Sequence, residues 1–231
     1  MRLDITVLIT EINLDIHSVC KDLLLKMTHM VSVITDSNSK CWFMGGESLS
    51  ESLKYKAFNE GELSNELIDE FDKSNTIHLW DGNDNDAPES ASVTLDYLIY
   101  SGEKKITLKV SLDYSGEVKF DYVFSFICEI VEHYNTKLIM VDTNHYKLKR
   151  RFVFPDRPSV GWMLFLNKKI DKNIVKDAED VIYFSNGNKS LIISRKNNYH
   201  GDRDSDIKIS NLIEISLVEH GALPLYKDLY V

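Results

Sequence analysis

The sequence predicts an α+β fold, a mostly antiparallel or mixed β-sheet with packed helices. Two observations lead there. Two neighbouring apolar runs alternate with period two across a short Gly-containing link, the pattern of an antiparallel hairpin with one buried face. Other segments repeat their apolar residues at helical spacing, and strands and helices intermix without a regular βαβ rhythm. The 231 residues, 43% hydrophobic and 27% charged, are read as one domain, 1–231, long enough to bury a core without disulfides or metals.

Residues 3–9 read as a strand. Ile16, Val19, Cys20, Leu23, Leu24, Met27 and Met30 then recur at helical spacing, with Asn13 or Asp15 as cap. Short strands are expected at Val31–Thr35 and Lys40–Met44, and a second helix on Leu63, Leu67, Ile68 and Phe71. Thr76–Trp80 reads as a strand and Asp81–Ser90 as a loop. The hairpin runs are Val93, Leu95, Tyr97, Ile99 and Ile106, Leu108, Val110, Leu112. A helix over Phe120–Tyr134 and a strand at Lys137–Val141 follow, then a polar, basic stretch through Arg151 that Pro155 and Pro158 keep irregular. Val160–Leu166 is apolar throughout and reads as a buried central strand. Ile174–Val181 is read as helical, Ser190–Arg195 as a strand and 196–206 as a loop. Asp206 is expected to cap a last helix with Ile209, Leu212, Ile213 and Leu217 on one face, ended by Gly221 and Pro224.

Cys20, Cys41 and Cys128 are odd in number and widely spaced. That pattern excludes a disulfide framework and the usual zinc spacings. With no signal-peptide core and no apolar run of membrane-spanning length, the expected location is the reducing cytoplasm, with no membrane partner. Net charge is −9. Residues 47–96 hold 13 acidic and three basic side chains, net −10, while the rest of the chain is net +1. Such a segment repels nucleic acid, so no direct nucleic-acid binding is expected, and it steers basic partners.

Chemistry-bearing patterns are few. Asp81–Ser92 resembles a calcium loop but carries Asp86 and Ser92 where an EF-hand needs Gly and Glu. Pro155-Asp156 with Asp206 and Lys208 could form a metal-dependent nuclease site of two carboxylates and a lysine. A turn and a helix cap explain the same residues. His200 with Asp202 and Asp204 is the one acid/base-like cluster, in a loop. No catalytic residue, metal ligand or cofactor is assigned, and the chain is read as a non-enzyme.

Phe154-Pro155-Asp156-Arg157-Pro158-Ser159-Val160-Gly161-Trp162-Met163-Leu164-Phe165-Leu166 resembles the signature of the immunity protein 52 family of bacterial polymorphic toxin systems. Leu79-Trp80-Asp81-Gly82 ahead of the alternating strands, and a last helix ending His220-Gly221-Ala222-Leu223-Pro224, fit the same pattern. The chain departs from it at Ile9-Thr10-Glu11, where the family carries Trp-Gly, and at Asn167, where it carries Pro. The resemblance implies a cytoplasmic protein without enzymatic activity that binds and neutralises a cognate toxin, often a nuclease with a restriction-endonuclease-like fold. Trp80, Gly82, Arg157, Pro158, Gly161 and Trp162 would be structural signature residues. The acidic loop carrying Asp81, Asp84, Asp86 and Glu89 is the expected contact for a basic toxin. The alternatives are a metal-dependent hydrolase using Asp156, Asp206 and Lys208, or a housekeeping protein–protein interaction module.

Overall fold

A computed structural model describes residues 1–11, 15–36, 41–46, 48–83, 87, 89–100 and 103–229. It is α+β with antiparallel strand pairing throughout. The chain divides into two compact units, Met1 with Thr10–Glu129, and Arg2–Ile9 with Ile130–Val231.

In chain order the elements are β1 (Arg2–Glu11), α1 (Ile16–Ile34), β2 (Phe43–Met44), α2 (Leu49–Ser52), β3 (Phe58–Asn59), β4 (Glu62–Leu63), α3 (Asn65–Lys73), β5 (Thr76–Trp80), β6 (Ser90–Tyr100), β7 (Glu103–Asp113), α4 (Phe120–His133), β8 (Thr136–Thr143), β9 (Met163–Leu166), β10 (Asp180–Phe184), β11 (Lys189–Ile193), α5 (Asp204–Glu219) and α6 (Tyr226–Leu229).

The first unit builds an antiparallel sheet in the order β7-β6-β5-β2. The expected hairpin is β6–β7, with Val93 opposite Val110 and Leu95 opposite Leu108; all four are buried, so the period-two pattern selected the face. α1 starts at Asp15, whose carboxylate accepts the N–H groups of His17 and Ser18 and so satisfies donors that the first turn leaves without partners. The other cap candidate, Asn13, lies outside the described residues. The strand expected at Val31–Thr35 is instead the end of α1. Val31 and Ile34 sit three apart and both are buried, so the β-branched run continues the helical stripe rather than alternating. Of Lys40–Met44, only Phe43–Met44 is strand, and Lys40 is not described. α3 is capped by the Ser64 hydroxyl, which accepts from Leu67 N–H; it buries Leu67 and Phe71 and leaves Ile68 40% exposed.

The second unit's sheet runs β10-β11-β9-β8-β1. Its core gathers Leu138 and Met140 of β8, Leu164 and Leu166 of β9, Ile192 of β11, and Ile213 and Leu217 of α5. β9 is central and all four of its residues are buried, as its uninterrupted apolar composition requires. The strand begins at Met163 rather than Val160 because Gly161 sits at φ +53° and breaks the extended run. Ile174–Val181 is not helical. Two turns, closed by Ile174 N–H to Asp171 O and Ala178 N–H to Val175 O, lead into β10. The expected cap Asp206 lies inside the first turn of α5 and is fully buried. The buried face of α5 is Asp206, Ser210, Ile213, Glu214 and Leu217, rotated from the expected one, so Leu212 is exposed. α5 ends as expected. Gly221 takes φ +61°, with Ala222 N–H bonded to Leu217 O and Gly221 N–H to Val218 O, a Schellman closure.

Cys20 is buried, and burial pushes its thiol up to about 12, so it is inert as a nucleophile. Cys128 is half-buried and Cys41 exposed. Among the described residues no helix is long and apolar enough to cross a membrane.

Candidate functional site

The densest polar organisation described in the second unit surrounds the end of β8 with Asn144 after it, and the segment Phe154–Leu166. The Val141 carbonyl accepts the Trp162 N–H at 2.8 Å. Thr143 Oγ1 accepts the Gly201 N–H at 2.8 Å. Gly201 approaches so closely that a Cβ there would lie 2.1 Å from the Thr143 carbonyl oxygen. Asn144 donates from its amide nitrogen to Asp202 Oδ1 at 3.0 Å and to His200 Nδ1 at 3.2 Å, while its amide oxygen accepts the Arg2 N–H. The end of one strand thus fixes both the long loop before β9 and the loop before α5.

Three carboxylates lie fully buried around it: Asp142, Asp206 and Glu214. Glu214 accepts the N–H groups of Val153 and Val160 at 2.8 and 3.0 Å and lies 3.1 Å from the Tyr146 hydroxyl. Burial pushes its carboxyl above the usual glutamate range, opposed by those two backbone bonds. Asp206 accepts the His200 N–H at 3.0 Å and pairs with Arg195 Nε at 2.9 Å and Arg203 Nη1 at 3.3 Å. Burial pushes the Asp142 carboxyl up to about 7. The phenols of Tyr146 and Tyr199 are also raised by burial, so both stay neutral donors. Ser194 and Ser210 donate to the Gly161 carbonyl at 2.7 Å each.

The resemblance-derived residues fall on this frame and on the first unit. Trp162 is 2% exposed, donates from Nε1 to Arg195 O at 2.7 Å and stacks parallel to Tyr199 at 6.5 Å between ring centroids. Gly161 must lack a side chain, because a Cβ would sit 2.0 Å from Asp142 Oδ1. Arg157 donates to the Leu223 carbonyl, and Pro158 is buried. In the first unit Trp80 donates from Nε1 to Met44 O at 3.2 Å and tilts on Phe43. Gly82 places its backbone where a Cβ would be 2.9 Å from the Phe43 ring.

Of the acidic loop, the described carboxylates Asp81 and Glu89 are less exposed than expected. Asp81 is 8% exposed and turns inward to accept the Asn83 N–H at 3.2 Å, an Asx turn that spends its carboxylate locally. Glu89 is half-buried and accepts the Ser115 hydroxyl. Asp84 and Asp86 lie outside the described residues. Among the described residues of 47–96, the exposed acidic side chains are Glu60, Glu62, Glu66, Asp69 and Asp72. Of these, Glu62 pairs with Lys21 and Asp72 with His17. The same stretch exposes Leu49, Leu53, Tyr55 and Ile68 by 40–56%.

The nuclease trio is not assembled. Asp206 is buried between two arginines, Lys208 points to solvent two residues along the same helix, and Asp156 is exposed in a turn. His200 and Asp202 are joined through Asn144 rather than to each other, and Asp204 is exposed in the first turn of α5. No group of three His, Cys, Asp or Glu placed to hold a metal occurs among the described residues.

Sequence reasoning passed over Asp142, Tyr146, Tyr199 and Glu214. One signal was present: Asp206, Ser210 and Glu214 recur at i, i+4, i+8, a polar stripe one residue away from the apolar stripe of Ile213 and Leu217. Comparison with known proteins found no matching family model and no matching curated protein.

Proposed function

We propose that this chain is a binding protein of the immunity type, which neutralises a basic toxin by occupying its surface. The observation that carries the reading is the segregation of charge: net −10 within residues 47–96 against net +1 elsewhere, with Glu60, Glu66, Asp69 and Asp72 exposed in that segment and Asp72 one helical turn from exposed Ile68 on α3. A segment that combines exposed apolar side chains with net negative charge suits a cationic protein partner, while a bare acidic coat serves solubility. Negative potential also speeds encounter with a cationic partner. The likeness of residues 154–166 to the immunity signature supports the same reading. The buried carboxylates fit a scaffold role, since Asp206 and Glu214 are engaged by arginines and backbone N–H groups.

The test is to mix this chain with the purified products of the genes adjacent to its own and assay them for toxicity. The expected result is a stoichiometric complex in which the toxin loses activity. Absence of a complex, together with metal-dependent cleavage of nucleic acid by this chain alone, would replace the reading with the hydrolase.

A further inference from the structure

Asp142 stands directly opposite Asp4 in the β1–β8 pairing. Opposed residues of an antiparallel pair share a face, so two carboxylates meet on one side of the sheet, a placement that repels when both are charged. Asp142 is 3% exposed. Its Oδ2 has the Ser159 hydroxyl at a long 3.4 Å, and its Oδ1 is buried without a hydrogen-bond partner among the described residues. The backbone of Gly161 closes directly over that oxygen. The groups facing Asp142 are Asp4, itself paired with Arg2, on β1; Tyr146 and Lys147 in the turn after β8; Tyr199 before α5; and Glu214 on α5. Lys147 is the cation among them that favours the charged form, against Asp4 and Glu214.

A buried carboxylate oxygen without a donor is costly as an anion and far less so as a neutral acid. We propose that Asp142 is a proton-controlled latch: neutral, it lets residues 153–162 and 198–203 close over the end of β8; ionised, it places an unmatched charge beneath them and they open more readily. The coupling runs through its neighbours in sequence. Val141 holds Trp162, Thr143 holds Gly201, and Asn144 holds His200 and Asp202.

The direction follows from linkage. Burial lifts the closed-state carboxyl from 3.8 to about 7, whereas an opened, solvated Asp142 returns toward the ordinary value. The closed form is therefore fully favoured below about pH 4, loses about tenfold per pH unit up to about pH 7, and levels off above it.

Amide hydrogen exchange of the full chain, corrected for intrinsic rates, tests this on the Trp162, Val160 and Gly201 N–H groups between about pH 5 and about pH 8. Wild type is expected to show opening that increases about tenfold per pH unit before levelling near neutrality, and Asp142→Asn a clearly shallower profile that retains only the Glu214 contribution, with Leu108 on β7 unchanged in both. Equal pH dependence in the two proteins would overturn the latch. Carbon-13 NMR titration of the Asp142 carboxyl in wild type decides independently of whether the variant folds. Titration near neutrality supports the latch, and titration in the ordinary aspartate range overturns it.

Discussion

Glu214 Oε1 accepts the backbone N–H of Val160 at 3.0 Å, across 54 residues of sequence, from a side chain 1% exposed. Its other oxygen takes the Val153 N–H, so one carboxylate closes both ends of the segment that carries Pro155 to Pro158. Prolines remove donors and hold that segment irregular, and the remaining N–H groups need acceptors from elsewhere. Glu214→Ala leaves these two donors without acceptors and is expected to destabilise by about 3–5 kcal/mol. Glu214→Gln keeps one acceptor oxygen but turns an amide NH2 on the second donor, for an expected loss of about 2 kcal/mol. Urea unfolding measures both, and a glutamine variant as stable as wild type would mean the clamp is not needed.

Gly161 and Gly221 both adopt positive φ, at +53° and +61°, yet alanine should act differently at the two. At Gly221 nothing lies within 4 Å of a new Cβ, so only the left-handed backbone is strained, for about 1–2 kcal/mol. At Gly161 the same strain is joined by contacts of 2.0 Å to Asp142 Oδ1 and 2.8 Å to the Val141 carbonyl. Backbone cannot yield cheaply there, so Gly161→Ala is expected to cost several times as much. Thermal unfolding of the two variants side by side checks the difference; equal losses would mean that the Asp142 region is compliant.

Trp162 spans the second unit's core and its polar network. Trp162→Ala is expected to lose about 3–5 kcal/mol, as for truncation of a buried large aromatic. Trp162→Phe keeps much of the ring packing but removes the N–H that reaches Arg195 O, and should lose about 1–2 kcal/mol. An alanine variant with wild-type stability and impaired partner binding would move Trp162 from the core to an interface.

The β6–β7 hairpin was legible in the sequence because alternation over two long runs leaves a single register with one apolar face, as Leu95 opposite Leu108 shows. α1 and α5 were legible from their 3.6-residue period, and the end of α5 from Gly221. The errors have local causes. Val31–Ile34 is β-branched, yet two of its residues continue a helical stripe that long-range packing fixes. Ile174–Val181 has apolar spacing compatible with a helix, but its turns are set by burial of Val175 and Ala178 in the core. Apart from the Asp206–Ser210–Glu214 stripe, the buried network was hidden because a single sequence does not show which carboxylates face inward: Asp206 was read as an exposed cap and Asp81 as an exposed charge, and both turn into the protein.

That inward turn of Asp81 changes how the acidic surface should be probed. Asp81→Lys would bury a cation and remove the acceptor of the Asn83 N–H, so loss of binding in such a variant would report folding. Glu66 and Asp69 are exposed on α3, one turn apart. Reversing both to Lys should leave thermal stability nearly unchanged, since exposed charges contribute little individually. If the surface steers a basic toxin, the double reversal should slow association at low salt. Wild-type association should also slow as salt rises, because the Debye length falls from about 10 Å at 0.1 M to about 3 Å at 1 M. Ile68→Ala should act on the other half of the affinity: removing an apolar contact speeds dissociation and leaves association nearly constant. Stopped-flow association and surface-based dissociation measurements separate the two effects. Rates indifferent to the reversals, to Ile68→Ala and to salt would leave this charge as a solvating coat and place the toxin contact on another surface.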